Sequence, residues 1–244
     1  MLSYVAPANG CGRPSRRNED AFMGQTEPYS ISDLYSQRFS AADRQRKNAL
    51  WKVLCLSFFQ KYVGESDVVV DLGAGYCEFI NHIRCGRKFA VDVSDDTRRA
   101  AAEDVTVLVS PVTDLSSFET SSVDVVFASN LFEHLRSKDE LMAVLREVHR
   151  ILRPGRSLLV LQPNIHYAYR EYWDTLDHHL ALSHVSLAEA LNLVGFSVRE
   201  VRPRFLPYSF KSRLPQSTLL LRLYLAARPL HVLFGRQMFL LAVK

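Results

Sequence analysis

Apolar residues follow two different periods along this chain, and the two periods alternate. Short apolar or β-branched runs predict buried strands, whereas apolar residues three and four positions apart predict helices. The strands are expected at residues 68–70, 89–93, 105–109, 123–128, 157–161, 197–201 and 237–243. The helices are expected from Ser40, with apolar positions as far as Tyr62, at 76–84, at 95–103, from Ser137 to Pro154-Gly155, and from Ser186 to Gly195. The last two begin with predicted capping boxes, Ser137 with Glu140 and Ser186 with Glu189.

The alternation of strands and helices extends from about residue 65 to residue 203, without a linker or an internal repeat. Because each strand is short and largely apolar, the pattern predicts an α/β fold, a doubly wound and mostly parallel sheet with helices on both faces. Residues 1–39 are polar and aperiodic and are expected to form an N-terminal arm. Residues 40–244 are expected to form one domain, in which a basic, leucine-rich insertion at 204–236 separates the last two strands.

Composition and charge narrow the class of protein. With 48% hydrophobic and 23% charged residues, the chain resembles globular proteins rather than disordered ones. Its four cysteines include no CxxC pair, which favours reduced thiols in the cytoplasm, and the N-terminus lacks the apolar core of a signal peptide. The net charge of +4 is uneven, because residues 198–244 carry nine basic residues and one acid, which leaves −4 for the other residues. This asymmetry predicts an anionic partner.

The insertion at 204–236 has several interpretations. Arg222, Arg228 and Pro229 interrupt its apolar run, so a transmembrane helix is not expected. Its leucines lie almost all round a helix, which favours burial as an internal lid or in a homodimer interface. Alternatively, the segment makes a peripheral contact with the inner membrane surface, where its arginines would meet anionic headgroups. Nucleic acid is the weaker candidate for the anionic partner, because no RNA-binding module accompanies the charge.

The end of the first predicted strand carries a pattern typical of cofactor binding. The sequence DLGAG at residues 71–75 has two glycines where the backbone must turn tightly and approach a ligand. A dinucleotide site would need a third glycine at the position of Glu78, whose carboxylate would oppose a pyrophosphate. S-adenosylmethionine is cationic instead, and an acid before the glycines suits it. Asp92, at the end of the second strand, can accept hydrogen bonds from both ribose hydroxyls.

Four stretches of the sequence resemble motifs of the class I S-adenosylmethionine-dependent methyltransferases, in particular the type 11 methyltransferases. They are VVVDLGAGYCEFI, AVDVSDD, VDVVFASNLFEHL and LREVHRILRPGRSLLVLQPN, and together they cover about residues 66 to 200. The resemblance implies a Rossmann-like, seven-stranded sheet whose last strand is antiparallel, with S-adenosyl-L-methionine as cofactor. The cofactor-binding residues that it implies are Asp71, Gly73, Ala74, Gly75, Asp92, Val93, Val112, Asn130 and Leu131.

The sequence departs from this family's pattern at two places near the cofactor. Cys77 stands where the family usually has a third glycine, and the small cysteine is expected to fit tightly. The family's Gly-Asp pair after the third strand is replaced by Ser110-Pro111. Recognition of the adenine is therefore expected to fall to the backbone of Val112 or to Asp114.

The stretch after the fifth strand is the richest candidate for acceptor binding. His178 or His179 is the preferred general base. The predicted substrate-binding residues are Asn164, Tyr169, Arg170, Tyr172 and Trp173, of which the arginine would hold an anionic group and the aromatic rings would stack on a sugar or another ring. The pair His178-His179 beside Asp177 is not accompanied by a third metal ligand at suitable spacing, so no metal is expected. His134, in the FEHL turn, is interpreted as a positioning residue.

These features together predict an S-adenosylmethionine-dependent methyltransferase. Its acceptor is predicted to be a hydroxyl on a glycan, a lipid-linked saccharide or another small molecule. Two alternatives stay open at this point: an NAD-dependent oxidoreductase, and a non-catalytic binding or membrane-associating protein built on a methyltransferase scaffold.

Overall fold

A computed structural model describes residues 41–208 and 217–244 of the protein. The predicted N-terminal arm at 1–39 and residues 209–216 of the predicted insertion lie outside this part. The strands of the described part are β1 (Val68–Leu72), β2 (Arg87–Asp92), β3 (Val105–Val109), β4 (Val123–Ser129), β5 (Leu152–Pro163), β6 (Ser197–Leu206) and β7 (Gln237–Val243). Its helices are α1 (Ala41–Ser57), α2 (Asp96–Ala100), α3 (Lys138–Ile151), α4 (Ile165–Ala168), α5 (His184–Val194), α6 (Thr218–Ala226) and α7 (Arg228–Phe234).

The strands form one sheet in the order β3-β2-β1-β4-β5-β7-β6. Strands β1 to β5 run parallel to their neighbours, whereas β7 runs antiparallel to both β5 and β6. This arrangement confirms the predicted α/β fold and its antiparallel last strand. The strand order reverses between β1 and β4, and in doubly wound sheets a ligand binds at the carboxyl ends of the strands at such a point.

Helices cover both faces of the sheet because each carries an apolar stripe. On one face, α3 buries Leu141, Val144, Leu145 and Val148, which recur at helical spacing, in a core shared with α5. On the other face, α1 buries Trp51 in a second core that α6 also joins. Burial on both faces explains why the central strands read as continuous apolar runs.

The segment at 76–84 departs from the prediction, which was a helix. It forms successive hydrogen-bonded turns, in which the Asn81 N–H donates to the Cys77 carbonyl at 3.0 Å and the Ile83 N–H donates to the Phe79 carbonyl at 3.1 Å. Gly75 and Cys77 have φ values of 51° and 59°. Residues in this left-handed region do not continue a right-handed helix, which explains why a regular helix does not form.

The start of α5 also differs from the prediction, because the capping serine is Ser183 rather than Ser186. The Ser183 hydroxyl accepts the Ser186 N–H at 3.1 Å, and the Ser186 hydroxyl accepts the Ser183 N–H at 3.0 Å. This reciprocal pair completes a capping box without Glu189. At α3 the predicted cap is confirmed, since the Ser137 hydroxyl accepts the Glu140 N–H at 3.1 Å.

The segment predicted as an insertion, 204–236, begins inside a strand, because β6 continues to Leu206. Its later part forms α6 and α7, and α6 buries Leu221 and Tyr224 in the core on the α1 side of the sheet. The Tyr224 hydroxyl donates to the Phe205 carbonyl at 2.7 Å, which ties α6 to the end of β6. None of the helices within residues 41–208 and 217–244 combines the length and the hydropathy needed to cross a membrane.

Candidate active site

A cavity of about 360 Å³ opens at the carboxyl ends of β1, β2 and β4, where the strand order reverses. Small-molecule sites of doubly wound folds occupy this position, and their volumes start at about 300 Å³. Seven of the nine residues predicted to bind the cofactor line this cavity, namely Gly73, Gly75, Asp92, Val93, Val112, Asn130 and Leu131.

The glycine turn forms one wall of the cavity. Gly73 and Gly75 have φ values of 65° and 51°, which glycine adopts without steric cost. A Cβ atom on Gly73 would lie 2.8 Å from Cδ1 of Leu131, whereas a Cβ atom on Gly75 would meet no atom of the described residues within 4 Å beyond its chain neighbours. The space above Gly75 therefore belongs to the cavity. Cys77, in the place of the third glycine, keeps the positive φ.

Asp92 is fixed at the end of β2 through both of its carboxylate oxygens. Oδ2 accepts the Gly75 N–H and Oδ1 accepts the Ser94 N–H, each at 2.8 Å. Each oxygen keeps a further lone pair, and the residue lines the cavity. Asp92 can thus hold the glycine turn and also accept two hydroxyl groups of a ligand.

The turns after β3 and β4 complete the predicted cofactor site. Asn130 has a φ of 48°, which is uncommon outside glycine, and Leu131 follows it on the cavity wall. Val112 also lines the cavity, but Asp114, the alternative for adenine recognition, does not. The exposed Asp114 carboxylate accepts the Ser116 N–H at 3.1 Å, and hydrogen bonds from Ser116 lower its pKa. Of the two candidates for adenine recognition, Val112 is the one at the cavity.

Asp71 and Ala74 are the two predicted cofactor residues that lie behind the cavity wall. Burial raises the pKa of Asp71 well above its usual range. The nearby carboxylates of Glu78 and Asp92 also raise this pKa, and a hydrogen bond from the Ile80 backbone opposes them. The Asp71 carboxyl therefore supports the turn from inside the protein rather than forming part of the cavity surface.

The cavity is acidic. Its walls carry Asp92, Asp96, Glu140 and Asp177, and Arg136 is the only lysine or arginine among the described residues that line it. A cleft with an excess of carboxylates favours a cationic ligand through the Coulomb interaction. The sulfonium and ammonium groups of S-adenosylmethionine suit these walls, whereas a pyrophosphate does not.

Two other side chains near the glycine turn lie outside the cavity. Glu78, on which the sequence argument against a dinucleotide depended, pairs with Lys47 of α1 at 2.8 Å. The acidic walls of the cavity, rather than Glu78, therefore disfavour a dinucleotide. Burial raises the pKa of the Cys77 thiol to about 12, so this thiol is not a nucleophile at neutral pH.

His134, Asp177 and His179 line the cavity, where the segment before α5 meets the turn after β4. Backbone hydrogen bonds fix this meeting point, because the His179 and Leu180 N–H groups donate to the Glu133 carbonyl at 2.8 and 3.1 Å. His134 Nδ1 lies 2.9 Å from the Asp177 carbonyl oxygen and 3.3 Å from the Asp177 carboxylate. Of the two histidines predicted as a general base, His179 is the one on the cavity wall.

His178, the other predicted base, lies behind the cavity in a buried cluster. Its ring centroid is 5.1 Å from that of His134 and 4.7 Å from that of Tyr172. Glu133 belongs to the same cluster and is 1% exposed. Burial raises the pKa of Glu133 to about 7, although the neighbouring His134 acts in the opposite direction. A carboxyl group and two imidazoles therefore share a small volume beside the cavity.

Two of the five residues predicted to bind the acceptor are packed in the interior. Asn164 accepts the His166 N–H at 3.2 Å, which caps α4, and its side-chain amide donates to the Pro203 carbonyl at 2.8 Å. Tyr172 is also fully buried, and its hydroxyl donates to the Leu180 carbonyl. Neither side chain has an exposed surface for an acceptor, so both shape the segment instead.

The other three predicted acceptor residues are exposed and lie outside the cavity wall. Tyr169 and Trp173 are each 58% exposed. Arg170 lies over the Tyr169 ring, with its guanidinium carbon 5.6 Å from the ring centroid. The ring of Trp173 packs against that of Tyr172, which connects this exposed group to the buried cluster. Their contact with an acceptor stays a prediction.

Glu133, Arg136 and Glu140 are residues of this region that the sequence analysis did not assign to the site. The sequence did identify Glu140 as a capping residue at the start of α3. In the structure its carboxylate accepts the Arg136 N–H at 2.7 Å. Glu133 could also have been singled out from the sequence, because it is an acid in the apolar turn directly after a buried strand. Charged residues are almost never fully buried unless they have partners or a function.

The comparison with protein families places this cavity in a known domain. Residues 70–160 match a family described as a methyltransferase domain. This range contains the glycine turn, Asp92, Asn130 and Glu133, and thus most of the cavity walls. No match to this chain was found among curated proteins.

Solved structures with the same fold include one each from Archaeoglobus fulgidus, Haloferax volcanii and Thermotoga maritima. A SAM-dependent methyltransferase from Archaeoglobus fulgidus is 20% identical, with a TM-score of 0.63, over 88% of this chain and 100% of that one. A methyltransferase of Haloferax volcanii, in complex with the Trm112 methyltransferase activator, is 23% identical, with a TM-score of 0.61, over 83% and 95%. A SAM-dependent methyltransferase from Thermotoga maritima is 17% identical, with a TM-score of 0.59, over 87% and 96%. At these identities the likeness establishes the fold.

Proposed function

This chain is a class I S-adenosylmethionine-dependent methyltransferase, and on that premise we propose that it methylates a hydroxyl of a glycan, a lipid-linked saccharide or another small molecule. The acidic cavity supports the proposal, because its wall also carries His134 from the turn after β4, and Asp177 and His179 from the segment between β5 and α5, here called the acceptor segment. The match to a methyltransferase domain favours this function over the two alternatives left open by the sequence, the NAD-dependent oxidoreductase and the non-catalytic scaffold protein.

The residues of the cavity fit the cofactor. Gly75 leaves open the space that a Cβ atom would fill, and Asp92 offers two acceptors to the ribose hydroxyls. Val112 and Leu131 supply apolar surface to the cavity, and Val112 is proposed to bind the adenine through its backbone. S-adenosylmethionine supplies a methyl group bound to a cationic sulfur, and the carboxylates of the walls favour that charge.

The acceptor segment supplies a group that can take a proton. His179 lines the cavity, and its imidazole can accept the proton that an acceptor hydroxyl releases when its oxygen is methylated. The cavity walls align the acceptor with the methyl group and exclude water from the reaction. Leu131 and Leu135, which lie near His134 on the wall, supply apolar surface for this purpose.

The exposed group beside this segment is proposed to hold the body of the acceptor. Tyr169 and Trp173 expose rings that can stack on a sugar, and Arg170 can pair with an anionic group. The net charge of +8 in residues 198–244 favours the same class of anionic acceptor.

The acceptor class is tested by comparing metabolites from cells that express the wild-type protein with those from cells that express Asp92→Ala. We expect at least one saccharide or small molecule to be heavier by one methylene unit in the wild-type cells alone. Fragmentation should place this methylene on an oxygen. A methylated product that carries the group on nitrogen or carbon, or no difference between the two cultures, would contradict the proposed O-methylation.

The surface of α6 and α7 combines exposed leucines with arginines. Leu219, Leu223 and Leu233 are 64%, 56% and 67% exposed, and Arg222 and Arg228 are exposed in the same helices. Exposed apolar side chains that form a patch mark interaction sites. We propose that it contacts an anionic lipid surface, because the positive charge complements such a surface and because the contact would bring the enzyme to lipid-linked acceptors. The enzyme would then be peripheral at the inner membrane surface.

Flotation with lipid vesicles tests this contact. We expect the wild-type protein to float together with vesicles that contain phosphatidylglycerol. It should remain at the bottom of the gradient when the vesicles contain phosphatidylcholine alone. The double variant Leu223→Glu/Leu233→Glu should lose flotation, whereas Leu193→Glu should keep it. Leu193 is a matched control because it is 74% exposed on α5, away from the proposed surface. Equal flotation of wild type and double variant would contradict the contact, and a dimer that the double variant abolishes would assign the surface to a homodimer.

A further inference from the structure

The buried cluster beside the cavity contains the third metal donor that the sequence did not show. In the sequence, the pair His178-His179 beside Asp177 is not accompanied by a third metal ligand at suitable spacing. The structure brings Glu133 and His134, from the turn after β4, to His178. One donor atom from each of Glu133, His134 and His178 lies within 4.8 Å of the other two. This separation suits three ligands of one metal ion.

One oxygen of the buried Glu133 carboxyl lacks a hydrogen-bond donor among the described residues. The residue is 1% exposed, and its Oε2 accepts no hydrogen bond from any residue in the ranges 41–208 and 217–244. Burial removes water from a carboxyl oxygen, and this oxygen has gained no hydrogen-bond donor in exchange. A bound cation would compensate for that loss.

His134 makes, through Nδ1, the kind of hydrogen bond that metal-binding histidines usually make. Both neighbours of its Nδ1 are oxygens of Asp177, the carbonyl at 2.9 Å and the carboxylate at 3.3 Å. Because these oxygens can only accept, Nδ1 carries the hydrogen, and the lone pair of the neutral ring is on Nε2. Metal-ligating histidines characteristically donate their other N–H to a carbonyl or carboxylate in this way.

The chemistry of the donors selects the class of metal. One carboxylate and two imidazoles are the ligands of many zinc, iron, manganese and cobalt sites, which keep a coordination position open. Magnesium and calcium prefer sites built from oxygen alone. We propose that Glu133, His134 and His178 bind a divalent transition-metal ion next to the acceptor end of the cavity.

The position of the cluster suggests what such an ion would do. His134 and Asp177 line the cavity, so an open coordination position on that side would be within reach of an acceptor oxygen. A divalent metal ion lowers the pKa of a hydroxyl bound to it, which would ease the transfer of the hydroxyl proton to His179. This link to the acceptor rests on the proposed methyl transfer, whereas metal binding by the cluster does not.

Spectroscopic titration of chelator-treated protein with Co²⁺ tests the site directly. We expect about one Co²⁺ ion per chain, with visible absorption stronger than that of aqueous Co²⁺, and displacement of the Co²⁺ by Zn²⁺. Glu133→Gln and His178→Asn should each lower the affinity for Co²⁺ by at least about tenfold. Glu133→Gln keeps the shape of the side chain, so it is expected to fold. The matched controls are the exposed residues in Glu119→Gln and His166→Gln, which should bind Co²⁺ like the wild type.

Two results would overturn the site. One is folded wild-type protein that shows no saturable Co²⁺ absorption, and the other is Glu133→Gln protein that binds Co²⁺ as tightly as the wild type. The affinity for S-adenosylmethionine, measured on the same samples, separates this inference from the proposed function. Protein that binds Co²⁺ with the expected variant pattern but does not bind S-adenosylmethionine would support the metal site and contradict the methyltransferase proposal.

Discussion

Replacing Asp92 with alanine will lower the affinity of the enzyme for S-adenosylmethionine by about a hundredfold or more. The change removes both acceptors for the ribose hydroxyls, and a hydrogen bond to a charged group contributes about 1.5–3 kcal/mol. A loss of about 1.4 kcal/mol corresponds to a factor of ten in the dissociation constant, so two such bonds give the stated effect. The Gly75 N–H also loses its acceptor at 2.8 Å, which loosens the glycine turn. Calorimetric titration with S-adenosylmethionine measures the loss.

A cofactor analogue that lacks both ribose hydroxyls separates these two contributions. The wild-type protein should bind the analogue more weakly than S-adenosylmethionine, whereas Asp92→Ala should bind the two compounds equally. Asp104→Ala is the control, because Asp104 is exposed before β3 and pairs with Lys88 at 2.8 Å, away from the cavity. If Asp92→Ala discriminates between the two compounds as strongly as the wild type, another residue binds the ribose.

The cofactor side of the site could be predicted from the sequence because it is built at strand ends. Gly75 and Asp92 each follow an apolar run closely, and neighbouring parallel strands bring their carboxyl ends to the same edge of the sheet. The two residues are 17 positions apart in the chain and are joined by a hydrogen bond of 2.8 Å. The predicted ends of the two strands therefore indicated that these residues would lie close together.

The backbone after the glycine turn could not be predicted in the same way. The apolar positions Phe79, Ile80 and Ile83 satisfy a helical period, and all three are buried as that period requires. Periodicity reports which side chains face the core, however, and it does not report φ. The positive φ of Cys77 interrupts the right-handed backbone here. The same side chains are therefore buried by turns instead of by a helix.

The acceptor side was the least predictable part of the site. The residues between β5 and α5 have no regular period, so their positions depend on contacts made across the fold. His134 meets Asp177 over a separation of 43 residues, and such a contact has no signature in the sequence. Aromatic residues in a polar stretch suggested a binding surface, but Tyr172 is packed inside, where it contacts His178. Tyr169 and Trp173 are exposed, as residues of a binding surface are expected to be.

A pair of glycine variants will show that the volume above Gly75 is occupied by the cofactor. Gly75 and Gly155 have φ values of 51° and 75°, and at either position an added Cβ would meet no atom of the described residues within 4 Å beyond its chain neighbours. Alanine in this left-handed conformation costs about 1–2 kcal/mol at either position. We therefore expect Gly75→Ala and Gly155→Ala to lower the midpoint of thermal unfolding by a similar amount, which differential scanning fluorimetry measures.

The two variants should differ in cofactor binding. Gly75 lines the cavity at the carboxyl ends of the strands, whereas Gly155 lies near the amino-terminal end of β5. A methyl group placed in a filled site costs about 1–3 kcal/mol, so Gly75→Ala should bind S-adenosylmethionine roughly tenfold to a hundredfold more weakly. Gly155→Ala should bind it like the wild type, although its stability is reduced equally. Equal losses of affinity in both variants would show that backbone strain, and not the volume of the added methyl group, weakens binding. Full affinity in Gly75→Ala would show that the cofactor does not approach this glycine.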